Sequence, residues 1–153
     1  MVWPFSKKES KLEIPPEDEH QWGVAQGGFE GEAVIARYNE TAAGFAGHSE
    51  LPIKLGFAIP FNKPNEGGLP DAEENAALDL IEDLIVRKVT AVTSGVYVLA
   101  LTTGVMKEFV FYISPGADIA KLHEDIRDQA ASHDVQCMAV EERKWESYRA
   151  FLP

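Results

Sequence analysis

Residues 71–113 read DAEENAALDLIEDLIVRKVTAVTSGVYVLALTTGVMKEFVFYI, a helix signal followed by a hairpin signal. Asp71 has the short acceptor side chain that caps a helix, and Glu74 stands at capping-box spacing from it. Ala77, Leu80, Ile81, Leu84 and Ile85 recur at helical period and define one apolar stripe. Glu73, Glu74, Asp79, Glu82 and Asp83 load the start and middle with negative charge. Arg87 and Lys88 close the end, the polarity a helix dipole favours. Beyond them, Val89–Thr93 and Val96–Leu101 are β-branched and apolar. They read as one strand interrupted by a bulge at Ser94–Gly95. Thr102–Thr103–Gly104 turns the chain, and Val105–Ile113 returns as the hairpin partner. Both faces of VYVLAL (96–101) are apolar, which makes it a central strand.

Upstream, IKLGFAI (53–59) is a strand of mostly apolar residues, followed by the loop PFNKPNEGGLP, dense in Pro and Gly. Downstream, Pro115–Gly116 breaks the chain. Asp118–Ser132 reads as a second helix with Ile119, Leu122, Ile126 and Ala130 on one stripe, and Val135–Val140 as the last strand. From Ile53 the succession is strand, helix, strand, strand, helix, strand. That is the ferredoxin-like βαββαβ order, an α+β sandwich with both helices on one face of an antiparallel-rich sheet. Trp22, Val24 and Gly27–Gly28 suggest a strand entering a tight turn. EAVIARY (32–38) is its hairpin partner, an addition that would extend the sheet or cover part of its other face. Trp145, Tyr148 and Phe151 fall at helical spacing in a short C-terminal piece. Residues 1–19 read as a flexible leader, polar and then rich in Pro and acid, and residues 20–153 as a single domain.

The 153 residues suit one domain with a real core. The net charge of −11 repels phosphate backbones and anionic lipid, so neither direct nucleic-acid binding nor membrane docking is expected. It suits a basic surface on a protein partner. Cys137 is the only cysteine, which excludes an internal disulfide and a four-thiolate metal site; its apolar run makes it a buried strand thiol. No signal-peptide pattern and no run of about 20 apolar residues is present, so a cytoplasmic location is expected. An exposed sheet edge would allow a homodimer.

Catalytic motifs are missing from the chain. Gly27–Gly28–Phe29–Glu30–Gly31 lies between two strands, where a hairpin turn explains it better than a phosphate cradle. There is no H-E-x-x-H, G-x-S-x-G or C-x-x-C. His123 and His133 stand ten residues apart on or near the second helix, about 15 Å along its axis, too far for one metal ion. They read as packing histidines at the helix edge. His20 and the short His48–Ser49–Glu50 run carry no recognisable chemistry. No metal and no cofactor is therefore expected. The carboxylates of the first helix read as a solvated face plus a cap. Glu82 borders the apolar stripe and would centre a site if one exists, whereas capping accounts for Glu74. Tyr112 shares a strand face with Glu108 and Val110. With Trp22, Trp145 and Tyr148 it supplies the apolar area and polar tips that suit a recognition surface.

The segments GLPDAEENAALDLIEDLI (68–85), TTGVMKEFVFY (102–112) and WESYRAFLP (145–153), with the opening at Trp22, resemble the bacterial family of domains of unknown function numbered 695, over about residues 20–153. The resemblance singles out Gly68, Leu69, Pro70, Glu74, Glu82, Thr103, Gly104, Glu108, Tyr112, Trp145 and Tyr148. Two departures stand out. Lys107 occupies a position where the family tends to have arginine, which weakens any bidentate contact there. Glu142–Arg143–Lys144 replaces an Asp-Pro-like turn. Related bacterial proteins are sometimes joined to a domain similar to the inhibitor of ribonuclease E, which implies a regulatory, protein-binding role by analogy.

Two functions fit these residues. The first is a binding or regulatory module that presents an acidic, aromatic-containing surface, with Glu74, Glu82, Glu108, Tyr112, Trp145 and Tyr148 as candidate binding residues. The second is a small enzyme or small-molecule sensor with a carboxylate/tyrosine site around Glu82 and Tyr112.

Overall fold

The computed structural model describes residues 11–29, 32–65 and 68–153. The leader's first ten residues and the hairpin tip at 30–31 lie outside the described residues. Six strands form one antiparallel sheet: β1 Trp22–Phe29, β2 Glu32–Asn39, β3 Ile53–Pro60, β4 Gly95–Thr102, β5 Met106–Ile113 and β6 Gln136–Glu141. Their order is β1-β2-β4-β5-β3-β6, so the N-terminal hairpin extends the sheet beyond β4. Among the described residues three α-helices accompany it: α1 Ala72–Val92, α2 Ile119–Gln129 and α3 Glu146–Arg149.

Asp71 caps α1, accepting the Glu74 N–H at 2.8 Å, and Asp118 caps α2 by accepting the Lys121 N–H at 3.1 Å. The stripe of α1 buries Leu78, Ile81, Ile85 and Val89, and α2 buries Leu122 and Ile126. These side chains pack on Leu55, Phe57, Ile59, Phe109, Phe111 and Ile113 of the sheet. Strand alternation sends the even positions of β5 to the opposite face, where a second core gathers Val110, Tyr112, Leu51, Ala42, Trp145 and Tyr148. Leu12 and Ile14 pack partly buried against this second core, and Glu17–Glu19 form one 3-10 turn.

Three local readings change. Leu80, expected on the apolar stripe of α1, is 72% exposed, and Leu78 is buried in its place. Val89–Val92 is the last turn of α1 and Thr93 its extended C-cap, not a strand. Val89 falls four residues after Ile85 on the buried stripe, and burying it there outweighs the β preference of the segment. The bulge sits between Tyr97 and Leu99, not at Ser94–Gly95. The extra residue, Val98, is buried beside Leu99 in the second core, and this leaves Tyr97 pointing at the helices.

Trp145 closes the second face. It is the one non-glycine residue with positive φ among the described residues (φ 57°, ψ 40°). Its indole stacks on Tyr112 at 4.2 Å with an interplanar angle of 5°, and Nε1 donates to the Leu51 carbonyl at 2.9 Å. Glu142 fastens the same corner, accepting from Tyr112 Oη at 2.6 Å, Ser147 N at 2.7 Å and Ser147 Oγ at 2.9 Å.

Candidate functional site

Helices α1 and α2 cover the middle of the sheet, and the β1–β2 hairpin projects past them. The step between α1 and the hairpin is a cleft of about 510 Å³ lined by Glu17, His20, Trp22, Arg37, Glu82 and Tyr97, with α1 continuing its wall to Thr90. Five elements thus converge: the first 3-10 turn, β1, β2, β4 and α1.

Glu82 is the hub. Its Oε2 accepts from Arg37 at 2.7 Å and from Tyr97 Oη at 2.8 Å. Its Oε1 has no hydrogen-bond partner among the described residues. The Glu82 side chain is 15% exposed and Arg37 40%. Arg37 binds Glu82 through one terminal nitrogen, and its guanidinium lies over the Trp22 ring, 5.6 Å from the centroid. Trp22 meets Tyr97 edge-on at 4.9 Å. Burial works against the Arg37 cation, but the hydrogen bond and charge of Glu82 overcome it and its pKa rises. Burial, reinforced by Glu82, holds the Tyr97 phenol protonated well above its ordinary value, so Tyr97 is a donor here.

Behind Trp22, Asn39 Nδ2 meets His20 Nδ1 at 3.0 Å and the Tyr97 carbonyl at 2.9 Å, and His20 Nε2 lies 2.8 Å from the Pro15 carbonyl. These bonds tie the segment before β1 to the cleft wall. Lys107 stands on the same sheet face, buried, and its ammonium makes no hydrogen bond or ion pair among the described residues. Burial lowers its pKa, and the charges of Glu82 and Asp79 oppose that shift.

The six sequence candidates go to three separate places. Glu82 alone is in the cleft. Glu74 lies at the other end of α1, where its carboxylate accepts the Lys63 N–H at 2.9 Å and meets His133 Nε2 at 2.6 Å. The expected capping role falls to Asp71 alone: the Glu74 carboxylate ties α1 to the loop after β3 and to the turn before β6 instead. Glu108, Tyr112, Trp145 and Tyr148 belong to the opposite face of the sheet. Tyr112, Trp145 and Tyr148 are each 0% exposed, so they are core residues and have no surface to offer a partner. Glu82 and Tyr112 do not share a site, because even positions of β5 point away from the helices. The tyrosine beside Glu82 is Tyr97.

Arg37, Tyr97 and His20 were not among the candidates. Arg37 carried a signal, as a cation inside an apolar strand, though Lys54 and Lys107 carried the same one. Tyr97 carried none, since its direction depends on the bulge at Val98. Among the described residues, no group of three or more His, Cys, Asp or Glu side chains is placed to hold a metal ion, and no helix is long and apolar enough to cross a membrane.

No curated protein and no solved structure matches the chain. A family model does: the family of unknown function DUF695 matches residues 20–153, and the chain belongs to that family.

Proposed function

We propose that the protein is a binding module that takes a small polar ligand in the cleft between α1 and the β1–β2 hairpin. One observation carries this reading. The Arg37–Glu82–Tyr97 cluster leaves a half-exposed guanidinium edge and one carboxylate oxygen unused, side by side at a cleft wall. Convergent polar groups in a concavity of this size are what small-molecule sites share. Free donors on Arg37 beside a free acceptor on Glu82 suit a ligand that carries both an anionic group and a hydrogen-bond donor, such as an amino-acid-like zwitterion. The indole of Trp22 supplies apolar area next to them. Glu82 is already ion-paired, which favours binding over its use as a general base.

The β3–α1–β4–β5–α2–β6 portion is read as a ferredoxin-like unit, a reading supported by the strand order β6-β3-β5-β4 within the sheet. The hairpin added at β4 creates the cleft. A cytoplasmic role fits the composition.

A thermal-shift screen of amino acids, other carboxylates and nucleotides tests the function. A ligand at 100 times its Kd adds about 2.7 kcal/mol of stability. The expected hit stabilises the wild type and loses its effect in Arg37→Ala. A hit that stabilises Arg37→Ala equally would place binding elsewhere.

A second reading, docking of a basic protein surface, is favoured by the exposed Glu73, Asp79, Asp83, Glu124 and Asp128 on the outer faces of α1 and α2. Such a complex would dissociate as salt rises. A captured partner indifferent to salt would exclude it.

A further inference from the structure

At the N-terminal end of α1, away from the Glu82 cleft, three side chains form an unbroken chain. Glu74 Oε2 lies 2.6 Å from His133 Nε2, and His133 Nδ1 lies 2.9 Å from Ser132 Oγ. The Glu74 and His133 side chains are 5% and 2% exposed, while Ser132 is exposed. All three line a second cleft of about 170 Å³ with Asn62, Lys63 and Asp71. Asn62 Nδ2 donates to the Ser132 carbonyl at 2.9 Å and pins the turn.

The direction of each hydrogen bond follows from Glu74. Burial opposes its ionisation, but the Lys63 N–H, His133 and the Asn62 N–H together hold its carboxyl below the ordinary range. An ionised carboxylate only accepts, so His133 Nε2 must carry the proton it shares with Glu74. A neutral imidazole protonated at Nε2 has its lone pair on Nδ1. The Ser132 hydroxyl therefore donates to a base that a buried carboxylate orients and whose positive charge it can stabilise.

We propose that Ser132 is a nucleophilic hydroxyl, with His133 as its general base and Glu74 as the positioning residue, and that it accepts acyl groups from small activated esters. Ser132 Oγ attacks the carbonyl carbon and the hydroxyl proton passes to His133 Nδ1. The new Oγ–C bond forms as the C–O bond to the leaving alcohol breaks, and His133 returns the proton to the departing oxygen. Lys63 lines the same cleft, and its positive charge favours the negative charge that develops on the carbonyl oxygen.

The test is covalent labelling of the full chain with an alkyl fluorophosphonate, read by peptide mass spectrometry. Here the Oγ–P bond forms, the P–F bond breaks and fluoride leaves, with the proton again on His133. Ser94 is exposed and its hydroxyl has no hydrogen bond among the described residues, so it serves as an internal reference. Ser132 should label at least about tenfold faster than Ser94, and about 100-fold is the ordinary size of general-base assistance. Ser132→Ala should abolish the adduct. In Glu74→Gln the amide can donate to Nε2 and turn the imidazole to its Nδ1–H form, so labelling should fall at least about tenfold. Labelling of Ser132 no faster than Ser94 overturns the proposal, whether or not Glu74→Gln folds. So does a Glu74→Gln variant with wild-type circular dichroism and a wild-type labelling rate.

Discussion

Replacing Trp145 with alanine should remove a large share of the stability of this domain. The indole is fully buried, stacked on Tyr112 and edge-on to Tyr148 and Phe45. Truncating a buried aromatic of this kind costs about 3–5 kcal/mol in lost transfer energy and residual cavity. The Leu51 carbonyl loses its donor at the same time, which adds about 1–3 kcal/mol. Since the two terms overlap, a loss of at least about 4 kcal/mol is expected, against a total of about 5–15 kcal/mol for a typical domain. At about 2–4 °C per kcal/mol, Tm should fall by about 10 °C or more. Urea unfolding followed by far-ultraviolet circular dichroism measures this without relying on the lost fluorophore.

The left-handed backbone at position 145 gives a sharper check. Alanine keeps the Cβ that makes this conformation unfavourable, and glycine does not. Trp145→Gly should therefore be more stable than Trp145→Ala by about 1 kcal/mol, the reverse of the order expected at an ordinary position. A Trp145→Ala variant within about 1 kcal/mol of the wild type would refute the buried placement. It would return the aromatic residues to a surface role.

Three further outcomes are expected. Glu74 and Glu142 both ionise more readily in the folded chain than their ordinary value of 4.5. Their stabilisation is complete above that value and is lost as pH falls through the lowered folded values. The urea midpoint should therefore drop as pH falls below about 4.5, and Glu74→Gln should flatten that drop; an unchanged slope would remove Glu74 as a source. Burial pushes the Cys137 thiol up to about 11, so its reaction with a disulfide reagent should be slow at pH 7 and rise about tenfold per pH unit up to that value. A plateau near pH 8 would contradict it. Asp71→Ala removes the cap of α1 and should cost about 1 kcal/mol in chemical denaturation, whereas a neutral effect would mean the first turn frays.

The local features of the fold were legible because their signals are local. The Asp71 cap, the Ile81–Leu84–Ile85 part of the α1 stripe and both hairpins each depend on residues within a few positions of one another; Leu80 was placed on that stripe and is exposed instead. The end of α1 was not, because Val89 serves a helix stripe and a β preference equally well, and only the burial of its neighbours decides. Glu74 looked like a cap because its decisive partner, His133, is 59 residues away. The aromatic residues were read by type, and type does not say which side of a sheet is covered; Trp145 and Tyr148 are what covers it. The cleft was half visible. Glu82 stood at the border of its stripe, but the guanidinium that completes the site comes from β2, whose place beyond β4 no local pattern encodes.

A ligand bound at Arg37 and Glu82 lies beside Trp22, which reports on it directly. The indole Nε1–H of Trp22 and the Nε–H of Arg37 can be followed in a ¹⁵N-resolved spectrum while candidate zwitterions, carboxylates and nucleotides are titrated in. Saturable shifts of both signals with a shared Kd are expected, abolished in Glu82→Gln, while the buried Trp145 indole stays still. Saturable binding that moves Trp145 or the Ser132 region and leaves Trp22 and Arg37 unchanged would contradict binding at this site.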